Sequence, residues 1–462
     1  MINSPQLARV SPWVFLALLI CVAGSAQASV QVGTCKPNLV QFTTIQAAVN
    51  ASAVGGIVYV CPGPYYEQVV ITKKLQLLGV QDGPGVTPIL FPPAGGLLQN
   101  GTDIFGNPVA AQIFVDNATG GNVEVLGLIV DGTGNNLAGC GGPTLEGIYY
   151  QGSSGTITDN TVRNQYQTDF TDYGGCQNGL AINVESLTAG NAVTVSANSV
   201  RAYQKNGITA TGAGTGAGSP GPSVVVLNNY IVGLASNAMN WQTAGAAENG
   251  IQIGFGATGK VSDNTVLDNI WPPDTSTQPG NAASGILIFA SSGITVTGNI
   301  VGSAQFGIVA DTDSAGYCTN ASLVVSCGPA DHSIITSNRV VGTQIFDAID
   351  ACSNDNTIES NTIYGTTESA VHLDDTCTSA SLSTTSGNGN TATKNIINEA
   401  CAGILLGTGS GNTASPNTTY NAFYATLSGD VCSVPGPDKM AADLKPSASK
   451  QQRPSPYRPM KK

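Results

Sequence analysis

The stretch "GILIFASSGITVTGNIVGSAQF" fills positions 285–306, and Gly307-Ile308 then begins the same phrase again. The interval of 22 residues recurs between Ala348 and Ala370. Longer intervals carry inserts rich in Gly, Ser and Thr. A period of this size is typical of stacked units, each of which buries its apolar face on its neighbours. The sequence therefore predicts a solenoid.

Two markers recur in step along the chain. An Asn followed two positions later by an aliphatic residue occurs at Asn160, Asn198, Asn229, Asn264, Asn299, Asn338, Asn361 and Asn395. A small residue followed by an aliphatic one occurs at Gly147, Gly179, Gly207, Gly250, Gly285, Gly307, Ala348, Ala370 and Gly403. Because Asn tolerates the left-handed conformation, each is expected at a bend, with its amide bonded to the Asn of the next coil.

The runs between the markers are short, alternating and rich in β-branched residues, which indicates strands and excludes helical repeats. Strands that lie parallel on the previous coil, about 4.8 Å away, form a parallel β-helix. In "GILIF", Ile286 and Ile288 should point inward while Leu287 and Phe289 point outward. The same offsets place Leu180 and Ile182 inward.

A short amphipathic helix is predicted to close the N-terminal end of the solenoid. Thr43 and Gln46 have the spacing of a capping box. Ile45, Ala48 and Val49 form one apolar helical face. Such a helix would cover strand edges that otherwise invite pairing with another chain.

The stretch "TTIQAAVNASAVGGIVYVCPGPYYEQVVITKKLQLLGV" (43–80) resembles the opening of exported right-handed β-helix proteins of the pectin-lyase-like superfamily. That group includes pectinesterases and periplasmic NosD-type repeat proteins. The resemblance implies an all-β, single-stranded right-handed parallel β-helix. It does not imply a reaction, because "TDIFG" (102–106) and Asp374-Asp375 match only fragments of the catalytic motifs of pectinesterases and polygalacturonases.

The ends of the chain differ from its body. Residues 1–28 hold a short apolar run and an Ala-x-Ala step, which predict a signal peptide, cleavage after Ala28 and a secreted, periplasmic or cell-surface location. No later segment is long and apolar enough to span a membrane. Residues 433–462 hold seven Lys or Arg against two Asp and predict a disordered, Pro-rich basic tail. The β-helix domain is thus expected over 29–432.

Charge and cysteine usage narrow the function classes. The net charge of −12 with few cations in the body argues against a nucleic-acid partner. Ten of the 11 Cys follow the signal peptide, an even number that favours disulfides in an exported chain. Local pairs are Cys35–Cys61, Cys140–Cys176, Cys318–Cys327, Cys352–Cys377 and Cys401–Cys432.

One candidate site follows from equal offsets on adjacent coils. Asp350 should stack on His372, both on an outward face, and Cys352 should stack on Asp374. A carboxylate beside an imidazole can serve as acid and base. Asp311, Asp374 and Asp375 could supply oxygens to Ca²⁺, the one cofactor that the sequence suggests.

A second candidate site is cationic. Arg163 and Arg201 share one offset, three residues after the repeat Asn, on neighbouring coils. Arginine suits a sugar carboxylate, and an Arg is a permissible base in a β-helix lyase. Tyr149, Tyr203 and Lys205 lie nearby in sequence and are candidate substrate-binding residues.

Two function classes remain open. The first is a protein that binds, and cleaves or modifies, an extracellular acidic polysaccharide, with a polysaccharide lyase or glycoside hydrolase as the enzymatic form. The second is a non-catalytic surface module, adhesin-like or NosD-like. Long inserts on one side of the solenoid favour the first, whereas the lack of a complete catalytic motif favours the second.

Overall fold

A computed structural model describes residues 27–83, 86–167, 178–212, 221–234, 248–270, 281–312, 329–343, 346–374, 387–429, 432 and 453–454. The predicted signal peptide, apart from its last two residues, and most of the predicted basic tail lie outside these ranges.

The described residues form one helix, α1 (Ile45–Ala51), and 38 strands. The strands are β1 Gln27–Val32, β2 Val40–Phe42, β3 Ser52–Val60, β4 Gly63–Tyr66, β5 Val69–Lys73, β6 Leu75–Gly79, β7 Pro88–Phe91, β8 Gly101–Thr102, β9 Pro108–Thr119, β10 Val123–Leu126, β11 Ile129–Asp131, β12 Thr144–Gln151, β13 Gly155–Thr158, β14 Thr161–Gln165, β15 Leu180–Glu185, β16 Ala192–Ser196, β17 Ser199–Tyr203, β18 Asn206–Thr211, β19 Ser223–Leu227, β20 Tyr230–Val232, β21 Asn249–Gly254, β22 Thr258–Ser262, β23 Thr265–Leu267, β24 Asn281–Ala282, β25 Ser284–Phe289, β26 Thr295–Thr297, β27 Ile300–Gly302, β28 Phe306–Asp311, β29 Ile334–Thr336, β30 Arg339–Thr343, β31 Ile349–Cys352, β32 Thr357–Glu359, β33 Thr362–Thr366, β34 Ser369–Leu373, β35 Thr391–Thr393, β36 Ile396–Leu406, β37 Thr418–Ser428 and β38 Arg453–Pro454.

The strands stack into three faces of one right-handed parallel β-helix, as predicted. The first face runs from β3 through β6, β10 and β13 to β35 in a 13-stranded sheet. The second (β11, β14, β17 and onward) and the third (β9, β12, β15, β18, β21, β25, β28, β31, β34) share a 23-stranded sheet and meet in β36. Strand pairs are parallel throughout the faces, and the short hairpin of β8 and β9 is antiparallel.

The interior holds one continuous apolar core of inward-facing Val, Ile, Leu and Ala side chains. Ile286 and Ile288 belong to this core, as the alternation predicted. Leu287 and Phe289 point away from it and join a second apolar cluster. Third-face strands such as β25 are therefore buried on both sides, whereas first-face strands such as β19 alternate between buried and exposed positions.

The recurring Asn residues form a ladder along one corner, which confirms their predicted role. Each side-chain amide donates to the Oδ1 atom of the next Asn, as from Asn264 Nδ2 to Asn299 Oδ1 at 2.9 Å, and the same Oδ1 accepts a backbone N–H. The left-handed residue, however, is the one before each Asn, for example Ala197 with φ 54°. The ladder thus satisfies buried polar groups beside a bend that another residue makes.

Helix α1 closes the N-terminal end, and Ile45, Ala48 and Val49 are buried as predicted. The predicted capping box is wrong. Thr44 is the N-cap and accepts from Ala47 N, while the backbone N–H groups of Ile45 and Gln46 donate to the Glu67 carboxylate at 2.7 and 2.9 Å. A carboxylate from the next coil therefore caps this helix, which short-range spacing does not reveal.

Disulfides join Cys35 to Cys61 and Cys401 to Cys432, two of the predicted pairs. Cys140 and Cys352 are also disulfide-bonded. Their predicted partners, Cys176 and Cys377, lie outside the described residues. Across the described ranges, no helix has the length and hydrophobicity to cross a bilayer.

Candidate functional site

Outward side chains of the third face stack in straight rows, because the register is kept from coil to coil. One row, read from β9 to β36, consists of Phe114, Tyr149, Asn183, Thr209, Gln252, Leu287, Val309, Asp350, His372 and Leu405. Polar clusters lie toward the two ends of this row, with apolar side chains between them. The predicted stacking of Asp350 on His372 is confirmed.

His372 lies among carboxylates. Its Nδ1 is 3.1 Å from Asp347 Oδ2, and its Nε2 is 4.0 Å from Asp374 Oδ1. The other Asp347 oxygen accepts from the backbone N–H of Ser369 at 3.1 Å and from the Ser369 hydroxyl. Asp347, which is not the stacked neighbour, is thus the residue that orients the imidazole.

The predicted exposure of this cluster is wrong, because Asp350 and His372 are only 1% and 4% exposed. Burial alone would lower the pKa of His372, but the charges of Asp374, Asp347 and Asp350 raise it to about 10. Burial, and then the charge of Asp347, raises the pKa of Glu368 to about 9. At neutral pH the imidazolium and a protonated Glu368 accompany the buried aspartates.

The same cluster contains two groups of possible metal ligands. Ligand atoms of Asp347, Asp350 and His372 lie within 4.8 Å of one another, as do those of Asp350, Cys352 and Asp374. Because Cys352 is disulfide-bonded, it is not a thiolate ligand, and the second group reduces to two carboxylates. Asp311 pairs with Cys352 one coil earlier, as predicted, and Asp375 lies outside the described residues.

Arg163 and Arg201 are adjacent in register, as predicted. Arg163 Nε forms an ion pair with Asp131 Oδ2 at 2.7 Å. Burial alone would raise the pKa of Asp131, but hydrogen bonds from Asn164, Thr133 and Arg163 lower it. Arg163 is therefore engaged in a structural ion pair, whereas Arg201 is exposed.

Tyr149, Tyr203 and Lys205 are completely buried, which corrects their predicted place on the surface. Tyr149 stacks on Phe114 with ring centroids 5.0 Å apart. The Tyr203 hydroxyl donates to Asn269 inside the solenoid. These side chains follow their strands into packed layers, so their proximity to Arg163 in sequence does not bring them to its surface.

A second carboxylate cluster, which sequence reasoning missed, lies on the third face between β12 and β15. Asn183 Nδ2 donates to Glu146 Oε1 at 3.0 Å and to Glu185 Oε1 at 3.1 Å. The Tyr149 hydroxyl and the Ile104 backbone N–H donate to Glu185 Oε2 at 2.6 and 3.3 Å. Glu146 Oε2 is buried and makes no hydrogen bond to the described residues.

The environment of this cluster favours the protonated acids. Burial, and then the charge of Glu185, raises the pKa of Glu146 well above its ordinary value. Burial and the charge of Asp103 raise the pKa of Glu185 to about 7. The charged groups that act on the pair are negative, so the cluster holds at least one proton at neutral pH.

The sequence prediction missed this cluster because it aligned the coil of β15 with its neighbours in the wrong register. Ile148 pairs with Ile182, so the step equivalent to Gly147-Ile148 is Ala181-Ile182, not Gly179-Leu180. Leu180 is buried but lies outside the main core, contrary to its predicted place. With the correct alignment, Asn183 and Glu185 fall on the outward side beside Tyr149, a signal that the sequence does contain.

A groove of about 640 Å³ lies on the third face, near this second cluster in the stack of coils. It is lined by Gln99, Asn100, Gly101, Thr102, Phe114, Asp116, Asn117 and Gln151. Gln151 pairs in register with Glu185, and Phe114 stacks on Tyr149. The groove and the cluster therefore share the same coils.

Comparison with known proteins identifies the fold. No protein-family model and no curated protein matches the sequence. The chain is similar to the GH136 lacto-N-biosidase from Eubacterium ramulus, at 11% identity and a TM-score of 0.53, over 87% of this chain and 67% of that one. It is also similar to the A-module of mannuronan C-5 epimerase AlgE6 from Azotobacter vinelandii, at 16% identity and a TM-score of 0.45, over 82% and 94%. The coil geometry and the likeness to the lacto-N-biosidase establish a right-handed parallel β-helix.

Proposed function

We propose that the protein binds a polysaccharide in the groove of the third face. The observation that carries the proposal is the lining of the groove, which combines four side-chain amides with one aromatic residue. Amides offer both donors and acceptors, as sugar hydroxyls require, and a few such groups on a concave surface are typical of ligand sites.

The groove favours neutral sugars over uronates. Asp116 is its charged lining residue, and none of the lining residues in the described part of the chain is a Lys or Arg. A carboxylate facing a uronate would repel it, because like charges at close range are unfavourable. The groove therefore does not support the prediction from the sequence that the polysaccharide is acidic.

Binding of an acidic polysaccharide is a second candidate function, supported by Arg201. This residue is exposed on the second face, and its Nη2 contacts only Ser199 Oγ, at 3.4 Å, among the hydrogen bonds of the described residues. Its guanidinium is available to a carboxylate in a way that the Arg163 guanidinium is not. Arg201→Ala should then weaken binding to polygalacturonate more than Arg163→Ala does.

The experiment is affinity electrophoresis in gels that contain laminarin, xylan, polygalacturonate or alginate, with and without Ca²⁺. Gln151→Ala with Gln99→Ala should weaken binding to a neutral polysaccharide that retards the wild-type protein by about tenfold or more, equivalent to about 1.4 kcal/mol. Gln76→Ala, a change on the first face, is the matched control and should bind normally.

The outcomes separate the open function classes. Retardation that the groove double variant does not reduce would reject the groove as the site. No retardation by any polysaccharide would favour the non-catalytic structural module. A requirement for Ca²⁺ would support Asp311, Asp374 and Asp375 as its oxygen ligands.

A further inference from the structure

We propose that Glu146 and Glu185 are the catalytic carboxyl pair of a retaining glycoside hydrolase, with the sugar chain held in the adjoining groove. This inference rests on the proposed function and extends it from binding to bond cleavage. It concerns a site that lies at the opposite end of the third-face row from His372.

The separation of the two carboxyl groups carries the first step. Both Oε1 atoms lie within 3.1 Å of a single atom, Asn183 Nδ2. Inverting glycosidases leave about 6.5–9.5 Å between their carboxyl groups to admit a water molecule, whereas retaining enzymes place them about 5–5.5 Å apart. Because the two carboxyl groups share one donor atom, their separation is that of the retaining enzymes.

The hydrogen bonds assign different roles to the two residues. Glu185 accepts from the Tyr149 hydroxyl, the Ile104 N–H and Asn183, all of which stabilise an anion. Glu146 accepts only from Asn183, and its Oε2 is buried without a hydrogen-bond partner in the described part of the chain. Glu146 is therefore the acid and Glu185 the nucleophile.

The reaction balances with water as the only co-substrate. Glu146 donates its proton to the glycosidic oxygen while a Glu185 oxygen attacks the anomeric carbon. The bond from that carbon to the leaving oxygen breaks, and its electron pair stays on the leaving oxygen. Glu146 then takes a proton from water, whose oxygen displaces Glu185 from the anomeric carbon and restores both residues.

Access to the pair is through the tip of the β8–β9 hairpin. Asp103, in this tip, accepts from the backbone N–H groups of Phe105 and Asn107, and the adjacent Ile104 N–H contacts Glu185. Thr102, just before the tip, lines the groove. The tip thus lies between the groove and the buried pair, and it must move to admit a sugar ring.

The test uses the full chain, with binding and cleavage measured separately. Wild-type protein should release reducing ends from a polysaccharide that retards it in the gel. Glu146→Gln and Glu185→Gln, which keep oxygen acceptors for Asn183, should each lower the rate about 10²–10⁴-fold while retardation is unchanged. Glu124→Gln, on the exposed side of the first face, is the matched control and should keep the wild-type rate.

Each outcome decides the proposal. If a polysaccharide retards the wild-type protein but releases no reducing ends, the catalytic pair is overturned and the binding function remains. If no polysaccharide retards the wild-type protein, the binding function itself is overturned. If the glutamine variants fail to fold, as shown by circular dichroism, the anomeric configuration of the wild-type product replaces them. Proton NMR should show retention at the anomeric carbon, and inversion would overturn the proposal.

Discussion

His372 pairs in register with Asp350, yet its Nδ1 bonds to Asp347 Oδ2 at 3.1 Å. The backbone places one carboxylate beside the imidazole, and a turn that precedes the strand supplies another. The charges of the surrounding aspartates outweigh the effect of burial on His372, so the folded state favours the positive imidazolium.

The first prediction concerns the pH dependence that this contact causes. The pKa of His372 is raised to about 10 in the folded protein, from 6.5. Its contribution is therefore complete below about pH 6.5 and is lost as the pH rises through about 10. His372→Gln should cost roughly 3–5 kcal/mol at pH 6. Urea unfolding should show the wild-type and variant stabilities converging toward pH 10.

The other histidine of the chain is the control for this prediction. His332 is exposed, and its Nδ1 lies 3.9 Å from Asp355 Oδ2. Because its side chain is exposed, His332→Gln should cost much less stability at pH 6 than His372→Gln does. Equal pH dependence in wild type and His372→Gln would show that the pKa of His372 is the same in the folded and unfolded states.

The second prediction concerns the Asn ladder. Asn264→Ala removes an acceptor from the side-chain and backbone N–H groups of Asn229 and a donor from Asn299. Each buried group left unpaired costs about 1–3 kcal/mol. Asn398→Ala removes the acceptor of the exposed Asn421 amide, so it should cost much less. Urea midpoints compare the two, and equal losses would contradict a stabilising ladder.

The third prediction concerns the cap of α1. Thr44→Ala should destabilise the protein by about 1 kcal/mol, because Thr44 is the N-cap residue. Glu67→Gln should also destabilise it, since the charged carboxylate accepts two N–H groups of the first turn. Thr43→Ala is the control and should be neutral. A thermal-unfolding series in which Thr43→Ala alone is destabilising would restore the capping box.

The fourth prediction concerns Arg163 and Asp131. Their ion pair contributes to the lowered pKa of Asp131, and a lowered carboxyl pKa gives stability that is present at neutral pH and lost as the pH falls. Arg163→Ala should cost roughly 1–2 kcal/mol at pH 7 and less at pH 3. Arg201→Ala should leave stability unchanged. Urea unfolding at the two pH values tests this, and a pH-independent loss would reject the ion pair as its cause.

The sequence predicted the fold because its signal is repeated many times. Each coil must bury the same alternating positions and satisfy the same bend, so the Asn marker and the small-residue marker recur along most of the solenoid. In the coil of β15 the marker position is Ala181, and a Gly lies two residues earlier at position 179, so the alignment slipped by two residues there. An alignment that is shifted by two residues keeps the inward–outward alternation, so the apolar pattern does not reveal the error.

Of the candidate sites, the sequence predicted only the contacts that follow from strand register. The stacking of Asp350 on His372, and of Arg163 on Arg201, follows from equal offsets and is confirmed. The contact between His372 and Asp347 does not follow from them, because it depends on the path of a turn. Burial of the outward row also escaped prediction, since alternation separates the two sides of a strand without showing what covers the outer one.

By itself, the sequence determined that this chain coils into stacked strands, which residues fill most of the interior, and which pairs become vertical neighbours in the coils that were aligned correctly. A one-dimensional repeat carries that information because each unit contacts mainly the next one. Only the tertiary structure decided that Glu146 and Glu185 share Asn183, that Glu67 caps the helix, and that Tyr149 is buried. Those facts depend on directions of side chains and turns, which are set by packing in three dimensions and leave no periodic trace in the chain.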